Sequence, residues 1–202
     1  ENVPSYIPGD TIKKVNGKTM TLIEFFVHSP FKDSLVEGRA ESDKNVTSIV
    51  MQVRFKKSSS DTKPSALYLF GGDADHYIWE EIQNQSSAHN NGEKLDFDIF
   101  LAPHHCSWTY FNDVPYKKGE TDEPVESSKK LIKDHKVSGA VIIASSKQIN
   151  DDDDNPPHYP AKKEYVKLIG SSDKFISLAE EPDSKNSKPV VYEVTSSGFL
   201  RK

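Results

Sequence analysis

The sequence predicts an α/β domain in which a β-sheet is flanked by helices. Downstream of Ala66, short apolar runs bounded by glycine or proline alternate with stretches whose apolar residues have helical spacing. Such alternation is typical of layered α/β domains. Polar residues follow several of the expected strand ends, among them Asp73, His104 and His105. Because open α/β sheets bind ligands beyond the carboxyl ends of their strands, a functional site is expected there.

Composition sets the size and the class of the protein. The 202 residues, 35% apolar and 28% charged, are enough for one domain over residues 1–202, with residues 1–19 as an N-terminal connecting segment. The net charge of −5 and the lack of a dense basic run argue against a nucleic-acid partner without excluding one, and no membrane-surface patch is indicated. The single cysteine makes an oxidising compartment unnecessary, so a soluble, cytoplasmic protein is expected.

Two strands are expected before Ala66. The apolar run Met20–His28 predicts a buried strand that ends at Ser29-Pro30, because the residue before a proline disfavours helix. Residues 31–44 are polar and charged, which indicates a loop. Asn45–Phe55 is rich in β-branched residues and alternates in polarity, so it predicts the second strand. Residues 56–64 then form a hairpin-type connection.

The later elements follow one another closely. Ala66–Phe70 is a short apolar strand that the Gly71-Gly72 pair ends. Helical spacing over Asp75–Gln83 predicts a helix with Asp73 or Asp75 as its N-cap. The remaining expected elements are a strand at Phe97–Ala102, a loop at Trp108–Glu126, a helix at Ser127–His135, a strand at Val137–Ser145, a loop at Lys147–Pro160, a helix at Ala161–Ile169, and strands at Phe175–Leu178 and Val190–Thr195.

Asp73, His104 and His105 are the first candidates for chemistry. Divalent metals in hydrolases use aspartate and histidine ligands held on short turns after rigid strands. The glycines before Asp73 let the backbone bend and a ligand approach closely, although capping the next helix is the competing interpretation. Adjacent strand residues point to opposite sides, so at most one of the two histidines is expected to share a site with Asp73. Their alternative role is a hydrogen-bonded pair at the sheet end.

Other candidates carry weaker patterns. His158 lies among the prolines of residues 155–160, and this stiff loop suits a metal ligand or a plain turn. Cys106 beside the histidines suggests a Cys–His nucleophile, but adjacency in sequence is not the geometry that chemistry needs. The Asp151–Asp154 run lacks the Gly and Glu of a calcium loop, so a solvated acidic loop is favoured. Structural or surface roles are expected for the remaining histidines, His28, His76, His89 and His135.

The order of these pieces resembles the second half of a metallo-β-lactamase-fold hydrolase, in the ComEC-type competence-protein branch and its soluble relatives. In that branch a Gly-Asp follows a strand, a His-His-Gly-Ser ends the next strand, and a Gly-His-Pro loop precedes a helix. Gly72-Asp73 matches the first motif, and His104–Ser107 matches the second with Cys106 in place of glycine. His158 in its proline loop matches the third motif loosely, after the strand at Val141–Ser146. The resemblance covers about residues 20–170.

The resemblance implies a fold, a metal site and an activity. The fold would be two sheets packed face to face with helices outside. Asp73 would bridge two metal ions, His158 would be a late metal ligand, and His104 or His105 would line the site as a ligand or as support for one. The metal would be zinc, with manganese or iron as alternatives. Metal-activated water would then attack an ester, phosphodiester or amide in a small-molecule or phosphodiester substrate.

The chain also departs from the family. The signature H-x-H-x-D-H does not occur, and Gly71–His76 keeps only its final Asp-His. The resemblance therefore implies that the first half of the fold lies upstream of Glu1 or on another chain, and the start at Glu1, which is not an initiator, fits this expectation. The chain alone is expected to be inactive, to expose an apolar sheet face, and to pair with the missing half or a second copy. A metal-free interaction or regulatory module is the alternative.

Overall fold

The structure is a computed structural model that describes residues 5–32, 44–112, 123–151 and 155–202. Most of the acidic run Asp151–Asp154 and part of the Trp108–Glu126 loop lie outside these residues. The described strands are β1 Thr11–Ile12, β2 Lys14–Val15, β3 Lys18–Thr19, β4 Ile23–Ser29, β5 Val50–Phe55, β6 Ala66–Phe70, β7 Phe97–Leu101, β8 Lys136–Ala144, β9 Phe175–Ser177, β10 Tyr192–Thr195 and β11 Gly198–Arg201. The described α-helices are α1 His76–Ala88, α2 Glu126–His135 and α3 Tyr159–Ile169.

The main sheet is mixed and has seven strands in the described part of the chain, in the order β1-β4-β5-β6-β7-β8-β9. The pairs from β1 to β6 are antiparallel, whereas β6 to β9 run parallel. This confirms the expected α/β architecture of a sheet with flanking helices. Because Phe70, Leu101 and Ile143 are in register, the carboxyl ends of β6, β7 and β8 meet at one edge.

Some local expectations differ from the structure. Asn45–Phe55 was expected as one strand, but residues 44–47 form a short 3₁₀ turn in which the Thr47 hydroxyl donates to the Lys44 carbonyl at 2.8 Å. Val46 is buried in that turn, so its apolar character serves packing rather than strand alternation. Within the expected connecting segment, β1 adds an edge strand to the sheet. The short strand β11 had too few apolar residues to be predicted.

All three described helices pack on one face of the sheet. Trp79 of α1 and Tyr165 of α3 contact Phe100 of β7, with ring centroids 5.4 Å and 6.4 Å apart. Leu131 and Ile132 of α2 join the same fully buried cluster. Aromatic side chains bury large areas and supply most of such a core's stabilisation. None of the helices in the described ranges is both long and apolar enough to cross a membrane.

The opposite face has a different cover. Ile99, Ile143 and Ile176 form a smaller buried cluster there. The β10–β11 hairpin lies over it and contributes Tyr192 and Phe199. In the described part of the chain this hairpin is a separate two-stranded sheet.

Candidate functional site

A left-handed turn after β7 lies at the centre of the candidate site. His104, His105 and Cys106 have φ values of +46°, +55° and +70°. For a residue with a side chain this conformation costs about 1–2 kcal/mol, so three in succession are unusual. The amides of Cys106 and Ser107 both donate to the Pro103 carbonyl, at 3.1 Å and 3.3 Å. Strain of this kind is concentrated at functional sites, where the surrounding structure holds it in place.

The histidine pair therefore does not lie in a strand, as the sequence had suggested. β7 ends at Leu101, and both histidines follow it in the turn. Their rings are 6.3 Å apart between centroids. The left-handed backbone, rather than strand alternation, sets their directions.

The glycine pair fastens the Asp73 turn against this left-handed turn. The His104 amide donates to the Gly72 carbonyl at 2.9 Å. A Cβ at Gly71 would lie 2.7 Å from both the Leu101 carbonyl oxygen and Pro103 Cγ, and one at Gly72 would lie 2.7 Å from the Ile49 carbonyl oxygen. Only glycine permits so close an approach of backbones. The two turns are thus locked together, with Asp73 next to the contact.

Asp73 is not the cap of α1. Asp75 Oδ1 accepts hydrogen bonds from the amides of Tyr77 and Ile78, at 3.1 Å and 3.2 Å, so Asp75 is the N-cap. Asp73 is exposed, and within the described residues its carboxylate has no hydrogen bond or ion pair. The competing capping role for Asp73 is therefore wrong. Its carboxylate remains open to a ligand from solvent.

His105 is oriented by the end of β8. Its Nδ1 lies 2.6 Å from the carbonyl oxygen of Ser145, the first residue after that strand. A carbonyl only accepts, so Nδ1 donates and the neutral ring has its lone pair on Nε2. The ring is exposed. Nε2 of His105 can therefore accept a proton or a metal ion, in the arrangement common to metal-bound histidines.

His158 has the opposite tautomer. The Trp108 amide donates to His158 Nδ1 at 2.8 Å, and the His158 amide donates to the Cys106 carbonyl at 3.0 Å. An amide only donates, so Nδ1 is the acceptor and the neutral ring carries its proton on Nε2. A protonated nitrogen cannot ligate a metal. This geometry gives buried His158 the role of fastening the start of α3 to the left-handed turn, and it does not suit the expected ligand role.

In burial, His104 lies between exposed His105 and buried His158. Its ring is half-buried, and its Nδ1 is shielded from solvent without a hydrogen-bond partner among the residues described. A shielded nitrogen in that state is unusual, because buried polar atoms are generally paired. His104 therefore remains a candidate at the site.

Cys106 does not have the properties of a nucleophile. Its side chain is fully buried, and this burial raises the pKa of the thiol. The thiolate is the reactive form, so the thiol is inert at neutral pH. Two of the other histidines have structural roles, as expected. His28 Nε2 donates to the Lys94 carbonyl at 2.9 Å, and His135 contacts Asp96 at 2.9 Å.

The described residues do not by themselves fit a metal ion. Among them, no group of three or more His, Cys, Asp or Glu side chains is arranged to hold one. The turns offer two suitable donors, the Asp73 carboxylate and His105 Nε2, whereas zinc uses three or four protein ligands.

The partners that matter most were hidden from sequence reasoning. Ser145 and Trp108 act through backbone atoms, so their residue types carry no signal. Only their position after β8 and after the left-handed turn could have suggested them. Comparisons of the chain with known protein families, with proteins of described function and with solved structures found no match.

Proposed function

We propose that this chain is the second half of a metal-dependent hydrolase of the metallo-β-lactamase type. One observation carries the proposal. The Gly-Asp turn after β6, the His-His turn after β7 and the His158 loop before α3 are fastened to one another by backbone hydrogen bonds. They follow the strands in the order that the resemblance implies.

The two open donors define the chemistry of this half. The Asp73 carboxylate supplies negative charge at the rim, and His105 Nε2 supplies a base whose orientation is fixed through Ser145. A positioned imidazole nitrogen with an available lone pair can act as a general base towards water. The substrate class is an ester, phosphodiester or amide of a small molecule. The remaining metal ligands would come from the missing half, on the same polypeptide or on a partner.

A metal-free interaction or regulatory module is the second candidate. Two observations favour it: the described residues lack a three-ligand group, and Nδ1 of His158 accepts a hydrogen bond from the Trp108 amide. In that case the turns would be a structural remnant of an ancestral site. Metal binding at Asp73 separates the two candidates.

The test is paramagnetic broadening of amide NMR signals by Mn²⁺. We expect the signals of residues 71–75 and 104–107 to broaden first, because Asp73 and His105 provide the open donors. Asp73→Asn should weaken this effect at least tenfold. Asp134→Asn is the matched control, since Asp134 is exposed but precedes β8 at the amino end of the parallel strands.

Broadening that persists in Asp73→Asn, or that occurs only at the acidic run near Asp151, would contradict the hydrolase proposal and favour the module. Activity provides a second measurement. Hydrolysis of bis-p-nitrophenyl phosphate with Mn²⁺ or Zn²⁺ is expected to require the chain together with the missing half. It should then be lost in Asp73→Ala.

A further inference from the structure

A cleft lies between the β10–β11 hairpin and the main sheet, on the face opposite the helices. Its volume is about 360 Å³. Its walls include Ile99, Leu101 and Ile143 of the sheet, and Val190 and Tyr192 on the hairpin side. Among the described residues that line it, none is charged. Pockets of this size with mostly apolar walls and a few polar groups are typical binding sites for the apolar parts of small molecules.

The hairpin is fixed to its surroundings at both ends, so the cleft is formed before any ligand arrives. Near the turn of the hairpin, Phe199 contacts Phe55 of β5 with ring centroids 5.4 Å apart. At the other end of β11, the Arg201 guanidinium forms an ion pair with the Glu181 carboxylate. Preformed walls are usual for small-molecule sites, because a ligand then binds without the cost of ordering them.

The cleft opens towards the candidate site. An added Cβ at Gly198, beside the hairpin turn, would lie 2.7 Å from Asp98 Oδ1, and Asp98 is near the amino end of β7. The other end of the hairpin, with Tyr192, therefore lies towards the carboxyl ends of the parallel strands. Ser145 follows β8 there, is exposed, and lines the cleft. Its carbonyl oxygen lies 2.6 Å from Nδ1 of His105, so the cleft and the oriented histidine are adjacent.

The hydroxyl of Tyr192 is the second observation that points to a ligand. It is shielded from solvent and has no hydrogen-bond partner among the described residues. Buried hydroxyls are generally paired, so this one has an unused donor. Burial raises the pKa of Tyr192, so the hydroxyl keeps its proton at neutral pH. The cleft thus combines an apolar interior with one hydrogen-bond donor.

We propose that this cleft binds the apolar acyl chain of a carboxylic ester, whose oxygen accepts a hydrogen bond from Tyr192 beside His105. This rests on the proposed function, and it narrows the substrate class to an uncharged ester. A cavity of about 150 Å³ holds benzene, so the cleft has room for an acyl chain of about eight carbon atoms. A charged group does not suit it, because the described lining offers no opposite charge.

The test is a titration of the 202-residue chain with methyl octanoate in the absence of metal. Methyl-group NMR shifts of Ile99, Ile143 and Leu178, which line the cleft, report binding. Methyl acetate is the short-chain control. Each buried methylene group should strengthen binding about fourfold. Methyl octanoate should therefore bind at least 100-fold more tightly than methyl acetate.

Two variants locate the binding. Val190→Trp fills the cleft and should weaken binding of methyl octanoate at least tenfold. Val191→Trp is the matched control, since the neighbouring Val191 is exposed and is not part of the wall, and it should change the affinity less than twofold. Tyr192→Phe removes only the hydroxyl oxygen. It should weaken binding about fivefold without lowering the Tm, because the lost hydroxyl is unpaired in the free protein.

Four results would overturn the proposal: no shift of these methyl groups, equal affinity for the two esters, undiminished binding in Val190→Trp, or undiminished binding in Tyr192→Phe. None of these measurements involves a metal ion or the missing half. Mn²⁺ broadening at Asp73 without ester binding would contradict the cleft alone. Ester binding without Mn²⁺ broadening would support the cleft and contradict the metal site.

Discussion

The two faces of the main sheet differ in how completely the described residues cover them. On the helix side, aromatic side chains pack against one another, and some of the buried polar groups are paired, whereas Trp79 Nε1 and the Tyr165 hydroxyl have no hydrogen-bond partner among the described residues. Gln52 Nε2 donates to the carbonyls of Glu93 and Asp96, at 3.2 Å and 2.8 Å. On the other side the sheet presents only apolar side chains, and the hairpin covers part of them. The comparison indicates that the helix side supplies most of the packed core of the described residues.

The largest expected effect tests this contrast directly. Phe100 is fully buried on the helix side, whereas Phe70 is half-buried on the open side. Phe100→Ala should lower the free energy of unfolding by about 4 kcal/mol, because it leaves a cavity among aromatic rings. Phe70→Ala should cost about 1 kcal/mol, since its ring is already partly in water. Urea denaturation of both variants measures the difference. Equal losses would show that the open face is covered within this chain.

The next effect concerns the charge state of His28, which is buried on the helix side. Burial lowers the pKa of His28 from 6.5 to about 4, with smaller contributions from the positive charges of Lys94 and His135. The folded protein therefore prefers neutral His28. The contribution of this neutral side chain to the free energy of unfolding is complete above pH 6.5 and is lost as the pH falls towards 4. The loss should be about 3 kcal/mol.

The matched variant is His28→Gln, whose side-chain amide can still donate to the Lys94 carbonyl. Unfolding free energies of both proteins from pH 7 to pH 4 isolate the His28 contribution. The wild-type protein should lose stability more steeply than the variant across this range. Parallel pH profiles would mean that His28 titrates normally and that water reaches this part of the helix side.

The third effect on stability concerns Gly71, in the turn after β6 beside the candidate site. Gly71→Ala would place a Cβ 2.7 Å from the Leu101 carbonyl oxygen, which is backbone and cannot easily move. We expect a loss of about 2 kcal/mol from this overpacking. NMR shifts should change at residues 72–74 and 103–105, and Gly92→Ala, with no atom near its added Cβ, is the control. An unchanged His104 amide would show that the two turns are not coupled.

The sequence predicted β6, β7 and β8 within one or two residues, because each is rich in apolar residues and has a clear ending. It predicted the strand-end positions of Asp73, His104 and His105 for the same reason. It failed for residues 44–47, where the burial of Val46 in a turn imitated strand alternation. It also failed for the left-handed turn, because positive φ is uncommon for any residue with a side chain, and only the surroundings of His104, His105 and Cys106 impose it.

By itself the sequence determined the alternation of strands and helices and the order of the polar turns, since local spacing encodes both. The tertiary structure decided which of these groups can act as bases or ligands. His105 and His158 received opposite tautomers from backbone groups 40 and 50 residues away. Asp75 rather than Asp73 became the helix cap, which leaves Asp73 open. The tertiary structure also placed the described helices on one face of the sheet. Hydrogen-bonding states and burial depend on atoms that are distant in sequence, so only the fold brings them together.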